Sequence, residues 1–214
     1  VNRLIASEDI NVTTASDTTA PVVTRLRPTS GYYSNSISLS ATGTDEYCVE
    51  KMIMQTSQDG KTWKDVYEET FGGVDAQRTV QYDLSLAEYA EGPLYVRALA
   101  FDAAGNQSDS SKSAPFVQYF VDRTAPAAPS GVSASGRNGY IEIAWSQGGE
   151  TDLGTYEVYR SSSENGLYER IAQDLASLNY YDRAVEEGGT YFYKVAVSDA
   201  AGNLSDYSSA VSAS

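Results

Sequence analysis

The stretch Tyr191-Phe192-Tyr193-Lys194-Val195-Ala196-Val197-Ser198-Asp199-Ala200-Ala201-Gly202-Asn203 decides the fold. Tyr191, Tyr193, Val195 and Val197 occupy every second position, the spacing that lines one face of a β-strand. The strand runs into Asp199–Asn203, a turn sequence in which glycine accepts positive φ and the Asp and Asn side chains bond their own backbone. The same turn stands 97 residues earlier as Asp102-Ala103-Ala104-Gly105-Asn106, again behind period-two residues, Val96, Ala98 and Ala100. A second motif also returns: Asp17-Thr18-Thr19-Ala20-Pro21 reappears 105 residues on as Asp122-Arg123-Thr124-Ala125-Pro126. Offsets near one hundred residues match a single β-sandwich domain. The first motif opens each unit and the second comes near its end. The expected organisation is therefore 17–122 and 123–214, two tandem sandwiches. Residues 1–16 are expected to be the trailing strand or linker of an upstream domain.

Between these landmarks the strand pattern continues. Ile37, Leu39 and Ala41 alternate with serines, and Val80, Tyr82, Leu84 and Leu86 repeat the spacing. Ile141, Ile143 and Trp145 alternate with Glu142 and Ala144, which predicts Trp145 in the second core, facing Tyr156 or Val195. Asp59-Gly60 and Asn165-Gly166 read as two-residue hairpin turns. Arg97 shares a face with Leu99 and Phe101, so those two are expected to point outward as an exposed or interface patch. No helical stripe is present; Leu84–Ala90 could make at most one turn. The fold class is all-β.

Composition narrows the function classes. Acidic residues number 29 against 15 basic ones, a net charge of −14, and this field repels phosphate backbones and anionic lipid. Nucleic acid is excluded as a partner on that basis. No run reaches the roughly 20 apolar residues of a membrane helix, so this segment is not expected to insert into a membrane. No secretory signal is recognisable, and the opening Val1-Asn2-Arg3 reads as the continuation of a longer chain. Cys48 is the one cysteine, which forbids an internal disulfide and suits a bacterial exported protein; it reads as a small buried hydrophobe. Histidine is absent, which removes the commonest general base and metal ligand.

Residues 127–214 resemble a fibronectin type III domain. The residues that carry this are Pro129 with Val132, Trp145, Tyr156-Glu157-Val158-Tyr159-Arg160 and Gly189-Thr190-Tyr191-Phe192-Tyr193-Lys194-Val195. The resemblance implies that Tyr191 is the corner tyrosine, its hydroxyl tied to the preceding loop. Residues 18–122 resemble bacterial immunoglobulin-like domains through Ser57-Gln58-Asp59-Gly60-Lys61-Thr62-Trp63, Gly92-Pro93-Leu94-Tyr95-Val96-Arg97 and the Asp-Ala-Ala-Gly-Asn turn. Leu94 stands where a corner tyrosine is usual. Such modules serve as spacers or adhesive units in multidomain surface and secreted proteins, which implies an extracellular location, at the cell surface or secreted.

Two readings of the repeated turn remain open. Asp17, Asp102 and Asn106 are expected to meet at one domain joint, and Asp122, Asp199 and Asn203 at the other. Their oxygens are of the hard type that calcium takes, while the same residues also suffice to build the turn alone. No catalytic residue and no other cofactor is expected. The functional expectation is a non-catalytic structural or spacer module of a bacterial surface or secreted protein, contributing to adhesion, its partners the neighbouring domains of the same chain. The alternative is a carbohydrate- or host-protein-binding module, including an accessory region of a secreted glycan-active enzyme, with Tyr32-Tyr33 or Tyr180-Tyr181 offering flat rings.

Overall fold

The structure, a computed structural model, describes residues 17–109 and 116–214, and contains no helix among them. Residues 1–16, expected as an upstream strand or linker, lie outside the described residues. The first unit runs β1 (Val22–Arg27), β2 (Tyr32–Tyr33), β3 (Ser36–Thr44), β4 (Lys51–Ser57), β5 (Lys64–Thr70), β6 (Gln77–Ser85), β7 (Gly92–Phe101) and β8 (Val117–Val121). The second runs β9 (Ser133–Arg137), β10 (Tyr140–Ala144), β11 (Leu153–Ser161), β12 (Glu169–Leu175), β13 (Asn179–Asp182), β14 (Tyr191–Asp199) and β15 (Val211–Ala213).

In the first unit a three-stranded sheet of order β1-β3-β6 faces a five-stranded one of order β2-β8-β7-β4-β5. The chain crosses between the sheets after β1, and β2 then pairs parallel with β8, Tyr32 opposite Phe120. In the second unit β13-β10-β9 faces β12-β11-β14-β15. Each unit has its own core. Ile37, Leu39, Met52, Met54, Leu94 and Tyr119 are completely buried in the first, and Ile143, Val158, Tyr193 and Val195 in the second. The period-two residues supply these cores because alternate side chains of a strand must leave the same face.

Trp145 lies in the second core at 5% exposure, just beyond β10, its ring centroid 5.3 Å from that of Tyr156. The Tyr191 hydroxyl accepts the Glu186 amide at 3.1 Å, the corner bond that the fibronectin type III resemblance implied. A second buried tie sits beside it. Asp182, 2% exposed, accepts hydrogen bonds from Arg160 and from the Tyr193 hydroxyl, both at 2.9 Å, and from the Ala184 amide at 3.0 Å. Burial, reinforced by that carboxylate, drives the Tyr193 pKa far above the ordinary tyrosine range.

Several local expectations need correction. Neither Asp59-Gly60 nor Asn165-Gly166 closes a two-residue hairpin; the connections span 58–63 and 162–168. In the first loop Asp59 gathers the Lys61 and Thr62 amides and the Ser57 hydroxyl, which holds its carboxyl well below the usual range, and a longer loop results. In the second, Gly166 does not take up positive φ. Val96, Ala98 and Ala100 point inward as expected, but Leu99 is not exposed. It is 5% accessible on the outer side of its sheet, opposite Ile53 at 7%. Phe101 beside it is half-buried under the Lys51 ammonium.

Two cores without shared strands predict that 17–122 and 123–214 each fold alone, giving β-type circular dichroism and a cooperative melt; an unfolded half would contradict the division. Trp145→Ala should destabilise the second unit by about 3–5 kcal/mol in denaturant titration, the range for emptying a large aromatic site.

Candidate functional site

The structure places the six residues singled out at the joints into two copies of one arrangement. After β14, the Asp199 amide donates to the Asn203 carbonyl at 3.1 Å, and the Gly202 amide to the Asp199 carbonyl at 3.3 Å. Gly202 has φ near +84°, a conformation that side-chain-bearing residues resist. The buried Asp199 carboxylate fills the turn. Its Oδ1 accepts the Asn203 amide at 2.8 Å and the Ala201 amide at 2.9 Å, and its Oδ2 accepts Asn203 Nδ2 at 2.8 Å. The second hydrogen on that amide nitrogen is donated to the Asp122 carbonyl at 3.1 Å. After β7 the pattern recurs. Asp102 accepts the Asn106 amide at 2.8 Å and Asn106 Nδ2 at 2.7 Å, Gly105 has φ near +89°, and Asn106 Nδ2 reaches the Asp17 carbonyl at 3.1 Å.

Each loop thus clasps the segment that leads into its own unit. The turn reading accounts for these contacts: both carboxylate oxygens of Asp102 and of Asp199 accept N–H donors, and the Asn amides present nitrogen to the backbone carbonyls. Among the described residues no group of three or more Cys, Asp or Glu side chains is arranged to hold a metal ion.

Sequence reasoning missed the serines that follow. The Ala100 amide donates to Ser108 Oγ at 2.9 Å, and the Val197 amide to Ser205 Oγ at 3.0 Å. Both hydroxyls are buried and complete ladder positions where the returning chain has left strand geometry. The signal was available, because the repeat continues past Asn as Asn106-Gln107-Ser108-Asp109 and Asn203-Leu204-Ser205-Asp206.

The joint is tied from both sides. Asp122 still belongs to the ladder, its amide donating to the Tyr33 carbonyl at 3.0 Å. Arg123 turns away from the acidic group at the joint, its guanidinium donating to the Leu86 and Tyr89 carbonyls of the first unit. Glu91 accepts the Arg123 amide at 2.8 Å and the Thr124 hydroxyl at 3.0 Å. From the second unit, Glu150 accepts the Ala127 amide at 3.0 Å, and the Ala201 carbonyl accepts the Ser34 hydroxyl at 3.2 Å. Pro126 and Pro129 are buried. Burial raises the Asp122 pKa, opposed by the Thr124 amide and reinforced by the negative charges of Asp199 and Asp152.

The tyrosine pairs divide as strand alternation demands. Tyr33 packs edge-on against Tyr119 in the first core, while Tyr32 lies outside, stacked on Phe120. Tyr180 packs against the second core and Tyr181 is 42% exposed.

No protein-family model matches the chain. In sequence it is similar to an amylopullulanase of Thermoanaerobacterium saccharolyticum, 42% identical over 88 residues, which is 41% of this chain and 7% of that protein. It is also similar to exoglucanase B of Cellulomonas fimi, 36% identical over 119 residues, 53% of this chain and 10% of that protein. The chain spans only these small shares of the relatives' lengths. In structure it is similar to the FN1-FN3 domains of chicken CNTN1, with a TM-score of 0.50 at 16% identity over 91% of this chain and 68% of that one. At that identity the likeness concerns fold: the chain is an all-β tandem of immunoglobulin-like and fibronectin type III-like sandwiches.

Two substitutions test the clasp. Asn203→Ala removes the bond to Asp122 and leaves Asp199 short of a donor, so it should cost about 1–3 kcal/mol in the second unit's unfolding. Asp122 carries a raised folded pKa, so the folded chain holds that proton more tightly than the unfolded chain does. Stability therefore falls as pH rises from the ordinary carboxylate range through the raised value, and stays lowered above it. Asp122→Asn should raise the thermal midpoint at neutral pH, and the gap should close in acid; calorimetry across pH decides it.

Proposed function

We propose that this chain is a non-catalytic accessory segment of an extracellular bacterial multidomain protein that acts on polysaccharide, holding neighbouring domains at a fixed separation. The single observation that carries the reading is the clasp at Asp122, with its copy at Asp17. A joint held by hydrogen bonds from both units and by two buried prolines gives up the freedom of a flexible linker. Stiff spacing is what such a joint provides.

The matched regions of the amylopullulanase and of exoglucanase B support the accessory role and an exported location. These names belong to enzymes of which this chain matches a small part, so the polysaccharide context is taken from them and the chemistry is not. Adhesion to a host protein has no comparable support. The candidate calcium sites at Asp17, Asp102 and Asn106 and at Asp122, Asp199 and Asn203 are tested in the same experiment.

Small-angle scattering of the whole chain should give one narrow distribution of extended shapes, unchanged when calcium is replaced by chelator, with the melting temperature equally unmoved. A broad distribution of bent shapes would overturn the spacer reading. A shape or melting point that depends on calcium would restore the ion to the joints.

A further inference from the structure

The outer side of the first unit's five-stranded sheet carries more aromatic surface than solubility explains. Along β8, Val117, Tyr119 and Val121 face the core, which turns Gln118 and Phe120 outward, and Phe116 precedes them on the outer side. Phe116 is 47% exposed and Phe120 37%. Tyr32 stacks on Phe120 with centroids 5.2 Å apart and planes 20° from parallel. Tyr95, on the outward register of β7, meets Phe116 edge-on at 5.1 Å. Trp63, from the loop before β5, lies 6.0 Å from Phe116, and the Arg97 guanidinium sits 4.1 Å over the indole ring. Phe116 and Phe120 are four positions apart on one strand, or about 13 Å, so the rings form two stations along one line.

One polar group lies between the stations and another at the Phe116 station. The exposed Gln118 side chain stands opposite Tyr95 in the ladder. Arg97 is fixed by donating to Gln55 at 2.7 Å, and Gln55 in turn donates to Asp65 at 2.6 Å. A half-buried guanidinium braced in this way presents its remaining N–H groups in one orientation. Flat rings flanked by an amide and a guanidinium match a pyranose chain, whose C–H faces are apolar and whose rim is hydroxyl. The overall charge of −14 opposes anionic polymers, which leaves neutral ones.

We infer that this face binds a neutral glucan chain along the line from Tyr32 and Phe120 to Phe116 and Trp63. The inference rests on the accessory reading for its choice of polymer. Its geometry uses the outer face of one unit and no part of the joint.

The test is native affinity electrophoresis of the whole chain through gels containing amylopectin, mixed-linkage β-glucan or polygalacturonate. At least one neutral glucan should retard the chain, with polygalacturonate having no effect. The double variant Phe116→Ala, Phe120→Ala should lose at least fivefold in retardation, while Tyr181→Ala migrates as the parent does. Fluorescence supplies a readout that needs no core change: the same glucan should alter the parent's emission, and Trp63→Phe should abolish the response, because Trp145 is buried in the other unit. The inference fails if no neutral glucan retards the parent, if polygalacturonate retards it equally, or if the double variant and Trp63→Phe respond as the parent does. Such a failure leaves the spacer reading standing, since that reading is decided by shape in solution.

Discussion

The structure depends on how two buried aspartates are satisfied. Asp102 follows β7 and Asp199 ends β14, and they lie at 4% and 5% exposure, where an unpartnered carboxylate would be strongly unfavourable. Both are satisfied by the loop that follows, whose amides converge on them because glycine permits the reversal. That convergence fixes the asparagine, and the asparagine has one N–H left to point at the chain entering the domain. Turn, ladder completion by serine and domain joint are consequences of one desolvated charge placed at the end of a strand.

The joint also shows how a strongly acidic chain can pack acidic ends together. The Asp122 pKa is raised there, chiefly by burial and further by the negative charges of Asp199 and Asp152. The contacts that hold the joint are mostly made to backbone groups, which carry no net charge and leave the repulsion no larger. Arg123 donates to carbonyls instead of to these carboxylates, anchoring the linker to the corner at Leu86 and Tyr89.

Much of this was legible in the sequence, and the pattern of what was not is physical. Tyr191, Tyr193, Val195 and Val197 revealed their strand because a buried face imposes period two. The meeting of Asn203 with Asp122 followed from a repeat and from sandwich topology. The lengths of the loops around Asp59 and Asn165 were not legible, since an Asp-Gly pair closes a tight hairpin only if the flanking residues stay in register. Asp59 instead attracts the two amides that follow it and widens the loop. Leu99 was misjudged because alternation states which side a residue leaves and not what lies above it. The outer aromatic line escaped notice for a related reason. Phe116, Trp63 and Tyr32 are remote in sequence, and only the strand order of the five-stranded sheet brings them into one row.

The parallel pairing of β2 with β8 has a mechanical consequence. The chain enters the first unit along β1 in the other sheet, crosses to β2 and leaves along β8, with the Phe120 and Asp122 amides donating to the Gly31 and Tyr33 carbonyls between β2 and β8. Force applied between neighbouring domains, once passed through β1 to β2, would drag β2 and β8 in opposite directions along their own axes. Bonds loaded in that direction share the strain and must break together, whereas bonds at a peeling edge fail one at a time. The second unit closes differently, its terminal β15 lying antiparallel on β14. Under tension the pairing of β2 with β8 places the first unit's bonds in shear.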